Sequence, residues 1–416
     1  MNETKPLYEE RLKRINDAVS LKEPDMVPCA PQYMTFPFLW AGYTMAEVNY
    51  DAEKARDSIR RYLNHFKPDM GFGYNNMMCG HMPMFDKAGV KWLEWAGQQG
   101  SIVGDRSIFQ YIEKEYLEEN EYDEYFSDMT GWMFRKYLPR TFKIFEPFEA
   151  FDIRSMTGYG FMPGSMQFAN PAIAEAFKAM GDIASDYLTF YKEHSLFEKE
   201  IEDRGFVQQI AGVTTTAFDC LSDFLRGTIG TMTDILLQPE NVQKAIESFF
   251  PGTLFGAIGQ AERSNGRFIF IPLHKGMDAF LSDEQYKKFY WDTLLRLVNG
   301  LVDHGLTPWI YTEGKYNSRI ECLMDAPKGK CWIHFENADM KRVKKLLGGT
   351  ACISGGINSH ALMFGTKEQV VEQVKENIDT LAPGGGYIFD IGDTMDDCKP
   401  ENVEAMFETV RKYGKY

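Results

Sequence analysis

The sequence predicts an α/β protein, a (β/α)8 barrel with helical insertions in its N-terminal half. Short runs that are apolar on both faces recur along the chain, and helical patterns lie between nearly all of them. Buried parallel strands have this character because helices cover both faces of their sheet. The count of such runs is eight, and eight strand–helix units close into a barrel. A doubly wound open sheet is the alternative.

The N-terminal half contributes two of the predicted strands. Residues 25–31 (DMVPCAP) form the first, after an amphipathic helix, and the segment PDMGFGYN forms the second. Apolar spacing predicts a helix over 50–66 between them.

A helical insertion follows these strands. Residues 108–137 are crowded with acidic and aromatic side chains, which is typical of an inserted helical stretch, and residues 170–205 predict a long helix. We therefore expect one domain over residues 1–416, with a helical insertion around 105–200.

The second half of the chain is regular. Predicted strands and helices alternate there, with strands at 206–211, 267–273, 307–311, 331–335, 350–354 and 386–391, and helices at 242–260, 283–304, 339–347 and 367–381. The doubly wound alternative lacks a GxGxxG loop, because GGTACISGG and PGGGYIF have other spacings and precede strands.

Composition excludes some classes of function. The net charge of −15 argues against a nucleic-acid surface, which needs clustered Lys and Arg. No apolar run reaches the roughly 18 to 20 residues of a membrane helix, and the charged N-terminus is unlike a signal peptide. The 7 cysteines are scattered and form no CxxC pair. We expect a cytoplasmic protein with reduced thiols.

Ligand-type residues follow several predicted strands at the end where a barrel carries its chemistry. They are His274, Asp278, Glu313, His334, Glu336, His360, Asp390 and Asp393. A single Glu or His at a strand end is usually structural, but four neighbouring strands each offer one. This recurrence favours a catalytic zinc site of mixed Glu, His and Asp ligands with one open position.

Aromatic residues follow the first predicted strand in the segment CAPQYMTFPFLWAGY. We expect Tyr33, Phe36 and Trp40 to line a substrate pocket, with core packing as the alternative, and we place Tyr74 with them. Nucleophilic catalysis has little support, because the chain has no G-x-S-x-G motif.

Four segments are informative beyond their secondary structure. They are EPDMVPCAP near the N-terminus, LRGTIGTMTDILLQPENVQKAI in mid-chain, and GGTACISGGINSHALMFGTKEQVVEQVKENIDTLAPGGGYIF with KPENVEAMFETVRKYGKY in the C-terminal third. These segments resemble the uroporphyrinogen decarboxylase superfamily. The resemblance implies a (β/α)8 barrel. True decarboxylases carry an arginine-rich N-terminal segment that grips the carboxylates of the substrate. Here that segment is QYMTFPFLWAGY, without arginine, so decarboxylation is not our leading expectation.

The resemblance extends to corrinoid-dependent methyltransferases, which carry a catalytic zinc. Where coenzyme M methyltransferases have His-x-Cys-Gly, this chain has YTEG, with Tyr311 for the His and Glu313 for the Cys. Ether-cleaving O-demethylase methyltransferases of anaerobes use two Glu and a His. Glu313 and His334 match the second Glu and the His, whereas Val298 stands at the first Glu. We expect Asp393 to replace it, with His274 and Asp390 in reserve.

This resemblance implies a zinc-dependent methyltransferase. It would move a methyl group from an O-methyl donor, an aromatic methyl ether, to cob(I)alamin on a separate corrinoid protein. Glu313, His334 and Asp393 would hold zinc, Asp278 would assist at the phenol, and His274 would contact substrate. Three alternatives stay open: a decarboxylase for a smaller substrate, a methyltransferase for a methylamine or thiol, and a non-catalytic corrinoid or tetrapyrrole binder.

Overall fold

The computed structural model describes residues 4–71, 79–154, 156–208, 210–264 and 266–416, in which helices alternate with short strands. The α-helices are α1 Thr4–Val19, α2 Phe36–Trp40, α3 Met45–Tyr50, α4 Ala52–Phe66, α5 Met82–Ala88, α6 Tyr122–Ser127, α7 Met129–Trp132, α8 Leu138–Thr141, α9 Phe161–Ser165, α10 Pro171–Asp203, α11 Ala217–Leu221, α12 Gly227–Leu237, α13 Pro239–Ala261, α14 Asp283–Gln285, α15 Asp292–Asp303, α16 Ile320–Leu323, α17 Met340–Leu347, α18 Ser359–Phe364, α19 Lys367–Leu381 and α20 Pro400–Tyr413. Ser222–Arg226 and Tyr286–Trp291 are π-helical turns that lead into α12 and α15.

The largest sheet lies in the second half of the chain and is parallel. The strands are β1 Met70–Gly71, β2 Leu93–Trp95, β3 Phe109–Tyr111, β4 Val207–Gln208, β5 Gly212–Val213, β6 Phe268–Leu273, β7 Thr307–Lys315, β8 Trp332–Asn337 and β9 Cys352–Gly355. β5, β6, β7, β8 and β9 pair in that order, all parallel. β1 pairs with β4 in parallel, and β2 pairs with β3 antiparallel.

Isolated bridges continue the parallel arrangement beyond β9. Ile353 of β9 bridges Tyr387, and Cys29 bridges Phe389, both in parallel. The backbone N–H of Asp69, next to β1, donates to the carbonyl of Cys29 at 2.8 Å. These contacts confirm the α/β class and the parallel sheet. The closed eight-stranded barrel stays a prediction, because residues 25–31 and 386–391 make single bridges rather than ladders.

Aromatic rings of adjacent strands pack together on one face of the parallel sheet. Trp309 of β7 and Trp332 of β8 are fully buried and stack with ring centroids 4.2 Å apart. Phe270 of β6 packs edge-on against Trp309 at 4.9 Å. Residues of alternate positions on a strand share a face, so the next members of this face on β7 are Tyr311 and Glu313. The buried ring of Trp309 therefore lies on the same face of the sheet as Tyr311 and Glu313, closer to the amino end of β7.

The prediction of a helical stretch over 108–137 is wrong at its start. Phe109–Tyr111 form β3, which pairs with β2, and helix begins only at Tyr122. Aromatic residues pack well on a pleated surface, and here Phe109 and Tyr111 contact the small cluster around Trp95. The acidic composition of the segment hid this local strand.

The long helix predicted over 170–205 is confirmed as α10. Asn170 caps it by accepting the N–H of Ala172, and Pro171 takes the first helical position. Among the described residues, no helix combines the length and the apolar character that crossing a membrane requires.

Candidate functional site

Polar side chains collect at the carboxyl ends of the central strands. His274 follows the last residue of β6, and Glu313 lies near the end of β7. Nε2 of His274 lies 3.7 Å from Oε1 of Glu313, and the two side chains are 34% and 37% exposed. In parallel α/β proteins this edge of the sheet is where ligands bind. We take the His274–Glu313 pair as the centre of the candidate site.

Asp223 holds the other side of the imidazole. Its Oδ2 lies 2.5 Å from Nδ1 of His274, and its side chain is 7% exposed. An ionised carboxylate only accepts hydrogen bonds, so Nδ1 carries a proton and donates it. Nε2 is therefore the nitrogen that faces Glu313. Histidines that bind metals commonly have this arrangement, with one ring nitrogen bonded to a carboxylate and the other free for the metal.

Asp219, one helical turn before Asp223, holds the backbone of the same segment. Its carboxylate is fully buried. It accepts the backbone N–H of His274 at 3.2 Å and that of Lys275 at 3.1 Å. It also accepts the hydroxyl of Tyr290 at 2.7 Å. Buried carboxylates need such partners, and three donors satisfy this one.

Lys275 adds a cation beside the histidine. Its Nζ lies 3.3 Å from Oδ1 of Asp223 and 3.5 Å from Oε1 of Glu113. Glu113 in turn accepts the hydroxyl of Thr228 at 2.6 Å. Carboxylates outnumber cations in this neighbourhood, which gives it a negative potential that attracts a metal cation.

The negative charges around His274 raise its pKa. Burial lowers the pKa of His274, but the hydrogen bond to Asp223 and the charges of Asp219 and Glu313 outweigh it and raise the pKa to about 9. Burial raises the pKa of Glu313, and the charges of Glu336 and Asp223 add to this. Without a metal, His274 is therefore an imidazolium at neutral pH.

His334 lies closer to the amino ends of the parallel strands than Glu313 does. The parallel ladder pairs His334 with Tyr311, whereas Glu313 is two residues farther along β7. The rings of Tyr311 and His334 stack with centroids 4.0 Å apart. His334 is fully buried. Equal spacing along two strands therefore brings a tyrosine, and not the glutamate, beside this histidine.

Both ring nitrogens of His334 already have partners. Nε2 lies 2.8 Å from the carbonyl oxygen of Gly392, so it donates a proton there. Nδ1 lies 3.0 Å from Oδ2 of Asp390 and 3.0 Å from the hydroxyl of Ser354. Asp390 also accepts the N–H of Gln32 at 2.8 Å, which ties the N-terminal segment to residues 386–391. The contacts of His334 are those of a buried structural residue.

Asp278 and Asp393 likewise bond to neighbouring loops. Asp278 accepts the backbone N–H groups of Asn317 and Ser318 at 3.0 and 3.1 Å. Asp393 accepts the N–H of Ser359 at 3.2 Å and the hydroxyl of the same residue. These bonds fix the loops that surround the strand ends. The catalytic role of Asp278 and the ligand role of Asp393 stay predictions.

The predicted aromatic pocket residues pack as core. Tyr33 and Phe36 are buried, and both contact Tyr62. Trp40 is half-buried and packs against Phe66 at 5.2 Å. Tyr74 lies outside the described residues. Their contacts agree with the core-packing alternative, and substrate binding by these residues stays a prediction.

The described residues fit zinc in part. The donors of His274 and Glu313 lie 3.7 Å apart. Two ligands of a tetrahedral zinc with bonds of about 2.0 to 2.1 Å lie about 3.4 Å apart, so a small shift would let both reach one ion. Among the described residues no group of three or more His, Cys, Asp or Glu side chains is arranged to hold a metal ion. The ligand set Glu313, His334 and Asp393 stays a prediction, and the geometry favours His274 as the imidazole beside Glu313.

Sequence reasoning missed the two aspartates that shape the site. Asp219 and Asp223 lie about 50 residues before His274 in the chain. One signal was available, since two acidic residues four apart share a helix face. Nothing in that spacing indicated which loop they would contact.

Comparisons with known proteins agree with this architecture. The family model described as Uroporphyrinogen decarboxylase (URO-D) matches residues 162–413, more than half of the chain. A methyltransferase from Methanosarcina mazei superposes with a TM-score of 0.60 over 97% of this chain and 98% of that chain, at 11% sequence identity. At that identity the likeness shows a shared fold.

A curated relative matches over a shorter segment. A uroporphyrinogen decarboxylase from Aromatoleum aromaticum is 22% identical over 148 residues, which cover 32% of this chain and 38% of the relative. The match thus spans well under half the length of that relative.

Proposed function

The chain belongs to the uroporphyrinogen decarboxylase family, and we propose that it is a metal-dependent methyltransferase of that family. The donor is an O-methyl compound, an aromatic methyl ether, and the acceptor is cob(I)alamin carried by a separate corrinoid protein. The methyltransferase from Methanosarcina mazei, which has the same fold over nearly the whole chain, supports the reaction type. Zinc is the proposed metal.

The observation that carries the proposal is the His274–Glu313 pair. The two donors lie 3.7 Å apart at the strand ends, and Asp223 bonds to the far nitrogen of the imidazole. We propose that His274 and Glu313 hold the metal, with Asp393 as the third ligand in the prediction. A metal held by Nε2 of His274 would take the place of the proton on that nitrogen, so the affinity for the metal should rise with pH.

Ether cleavage needs help at the leaving oxygen. The methyl carbon would form a bond with the electron pair of the cobalt(I) acceptor as the C–O bond breaks with both of its electrons going to oxygen, and the departing phenolate is a poor leaving group. When bound, zinc supplies a Lewis acid for that oxygen. The chain supplies the fixed orientation of His274 and the buried aromatic packing of Trp309 and Trp332 beneath the site. A rigid site of this kind stabilises developing charge without reorganising.

An anaerobic methyl-transfer assay tests the proposal. Purified protein with added zinc is mixed with free cob(I)alamin and a panel of aryl methyl ethers, and methylation of the cobalt is followed by its absorbance. We expect His274→Ala and Glu313→Ala to lower the rate by about 10²- to 10³-fold, the loss typical of removing a charge-stabilising group.

Glu115→Gln is the matched control. Glu115 accepts a hydrogen bond from Arg226 at 2.9 Å, and Arg226 lies in the same π-helical turn as Asp223. The variant removes one carboxylate charge and should keep the activity of the wild-type protein. Failure of the wild-type protein to methylate cobalt with every donor, in the presence of zinc, would refute the proposal.

Decarboxylation of a small acid is the second candidate. The matched relative from Aromatoleum aromaticum is named a uroporphyrinogen decarboxylase. Without a metal, the imidazolium of His274 directs Nε2–H to the strand ends, where it can donate to a substrate carboxylate. Release of carbon dioxide without any corrinoid would favour this reaction over methyl transfer.

A further inference from the structure

Two aspartates from one helical turn contact the same two residues of the loop after β6. Asp219 lies in α11, and Asp223 lies in the π-helical turn Ser222–Arg226. Asp219 and Asp223 are both buried. Both carboxylates face His274 and Lys275. We call Asp219 and Asp223 the aspartate clamp.

The two aspartates contact different groups of His274 and Lys275. Asp219 accepts the backbone N–H groups of His274 and Lys275. Asp223 accepts from the side chains, with Oδ2 at 2.5 Å from Nδ1 of His274 and Oδ1 at 3.3 Å from Nζ of Lys275. The backbone and the ring of one histidine are therefore fixed from the same helix.

Burying two carboxylates close together costs free energy. An ionised carboxylate loses much of its solvation in the interior, and two close carboxylates repel each other. A core would be filled more simply by apolar side chains. The π-helical turn that contains Asp223 is a further irregular feature, and such turns occur frequently at functional sites.

We propose that the aspartate clamp is a positioning device, which holds the imidazole of His274 with Nδ1 bonded to Asp223 and Nε2 directed at Glu313. This inference rests on the proposed metal-dependent function for its purpose. Its geometric content, the fixed ring of His274, is independent of whether a metal binds. Neither aspartate needs to touch substrate in this arrangement.

A metal-free NMR experiment tests the geometry. The protein has 7 histidines, so selective ¹⁵N labelling of histidine gives a simple spectrum. A proton held between an imidazole and a carboxylate at short distance is strongly deshielded. We expect the resonance of the His274 Nδ1 proton in the wild-type protein and in the control Glu115→Gln, and its loss in His274→Ala and Asp223→Ala. Any resonance from His334, whose Nδ1 lies 3.0 Å from Asp390, should be unchanged in all of these variants.

Two more variants, Asp223→Asn and Asp223→Glu, distinguish loss of the hydrogen bond to His274 from a folding defect. Asn keeps the shape and removes the charge, so the resonance should move upfield or vanish while the circular dichroism stays that of the wild-type protein. Glu restores the carboxylate and should restore the resonance. A deshielded His274 proton that is unchanged in folded Asp223→Ala or Asp223→Asn would overturn the inference, as would its absence in the wild-type protein.

Zinc titration then separates the inference from the proposed function. With zinc alone as the probe, we expect Asp223→Ala to weaken binding by about 10- to 100-fold, and Glu115→Gln to leave it unchanged. Equal zinc affinity in the wild-type protein and Asp223→Ala would overturn the clamp and leave the metal-dependent function standing. A wild-type protein that binds no zinc would refute the metal, and the NMR result would still decide the clamp.

Discussion

Removal of the imidazole at position 274 should flatten the pH dependence of stability in the metal-free protein. The perturbation is His274→Gln, which keeps a polar side chain and removes the titration. The pKa of His274 rises from 6.5 to about 9 on folding. A folded-state pKa above the unfolded one means that the protonated form is stabilised by the fold. This contribution is fully present below about pH 6.5 and is lost as the pH rises through about 9.

The magnitude follows from the size of the shift. At 1.36 kcal/mol per unit, the difference in pKa corresponds to about 3 kcal/mol. The side chain of His274 is 34% exposed, so solvent screening reduces the expected contribution to about 2 kcal/mol. The wild-type protein should therefore lose about 2 kcal/mol more than His274→Gln between about pH 6 and pH 10.

The assay is urea unfolding of both proteins across this range with a chelator present. Tyrosine, lysine and cysteine also titrate there, but they are common to both proteins and cancel in the difference. Parallel stability curves for the wild-type protein and His274→Gln would refute the reasoning, because they would mean that the fold does not favour the imidazolium.

Three further predictions concern other side chains of the protein. Asp219→Asn should destabilise the protein by about 2 to 4 kcal/mol in urea unfolding, since three hydrogen bonds to a buried carboxylate weaken, including that of Tyr290. Trp332→Ala should cost about 3 to 5 kcal/mol and lower the melting temperature, because it removes a fully buried ring stacked on Trp309. Burial raises the pKa of Glu198 to about 7, so ionising this carboxyl in the folded protein costs free energy, and that cost is fully present above about pH 7. Glu198→Gln should raise the melting temperature above pH 7, with no gain below about pH 4.5.

The regular second half of the chain could be predicted closely from its sequence. Apolar runs bounded by helical patterns placed β6, β7, β8 and β9 within a few residues of their observed ends. Buried parallel strands produce this signal directly, because both of their faces are apolar. β3 was missed because three residues of a local hairpin leave too short a pattern, and the surrounding acidic residues suggested a helix.

The candidate site could be predicted only in part. Glu313 and His274 were found because both follow predicted strands. Their pairing was not found, because the sequence does not state the register between strands. A shift of two residues along a parallel ladder places Tyr311, and not Glu313, beside His334. The contact of Asp223 with His274 could not be predicted, since Asp223 lies on a helical turn about 50 residues away in the chain.

The zinc content of the purified protein tests the central claim most directly. Elemental analysis after extensive dialysis should find about one zinc per chain in the wild-type protein and much less in both His274→Ala and Glu313→Ala. Folded variants that both retain the zinc of the wild-type protein would contradict the claim that this pair holds the metal.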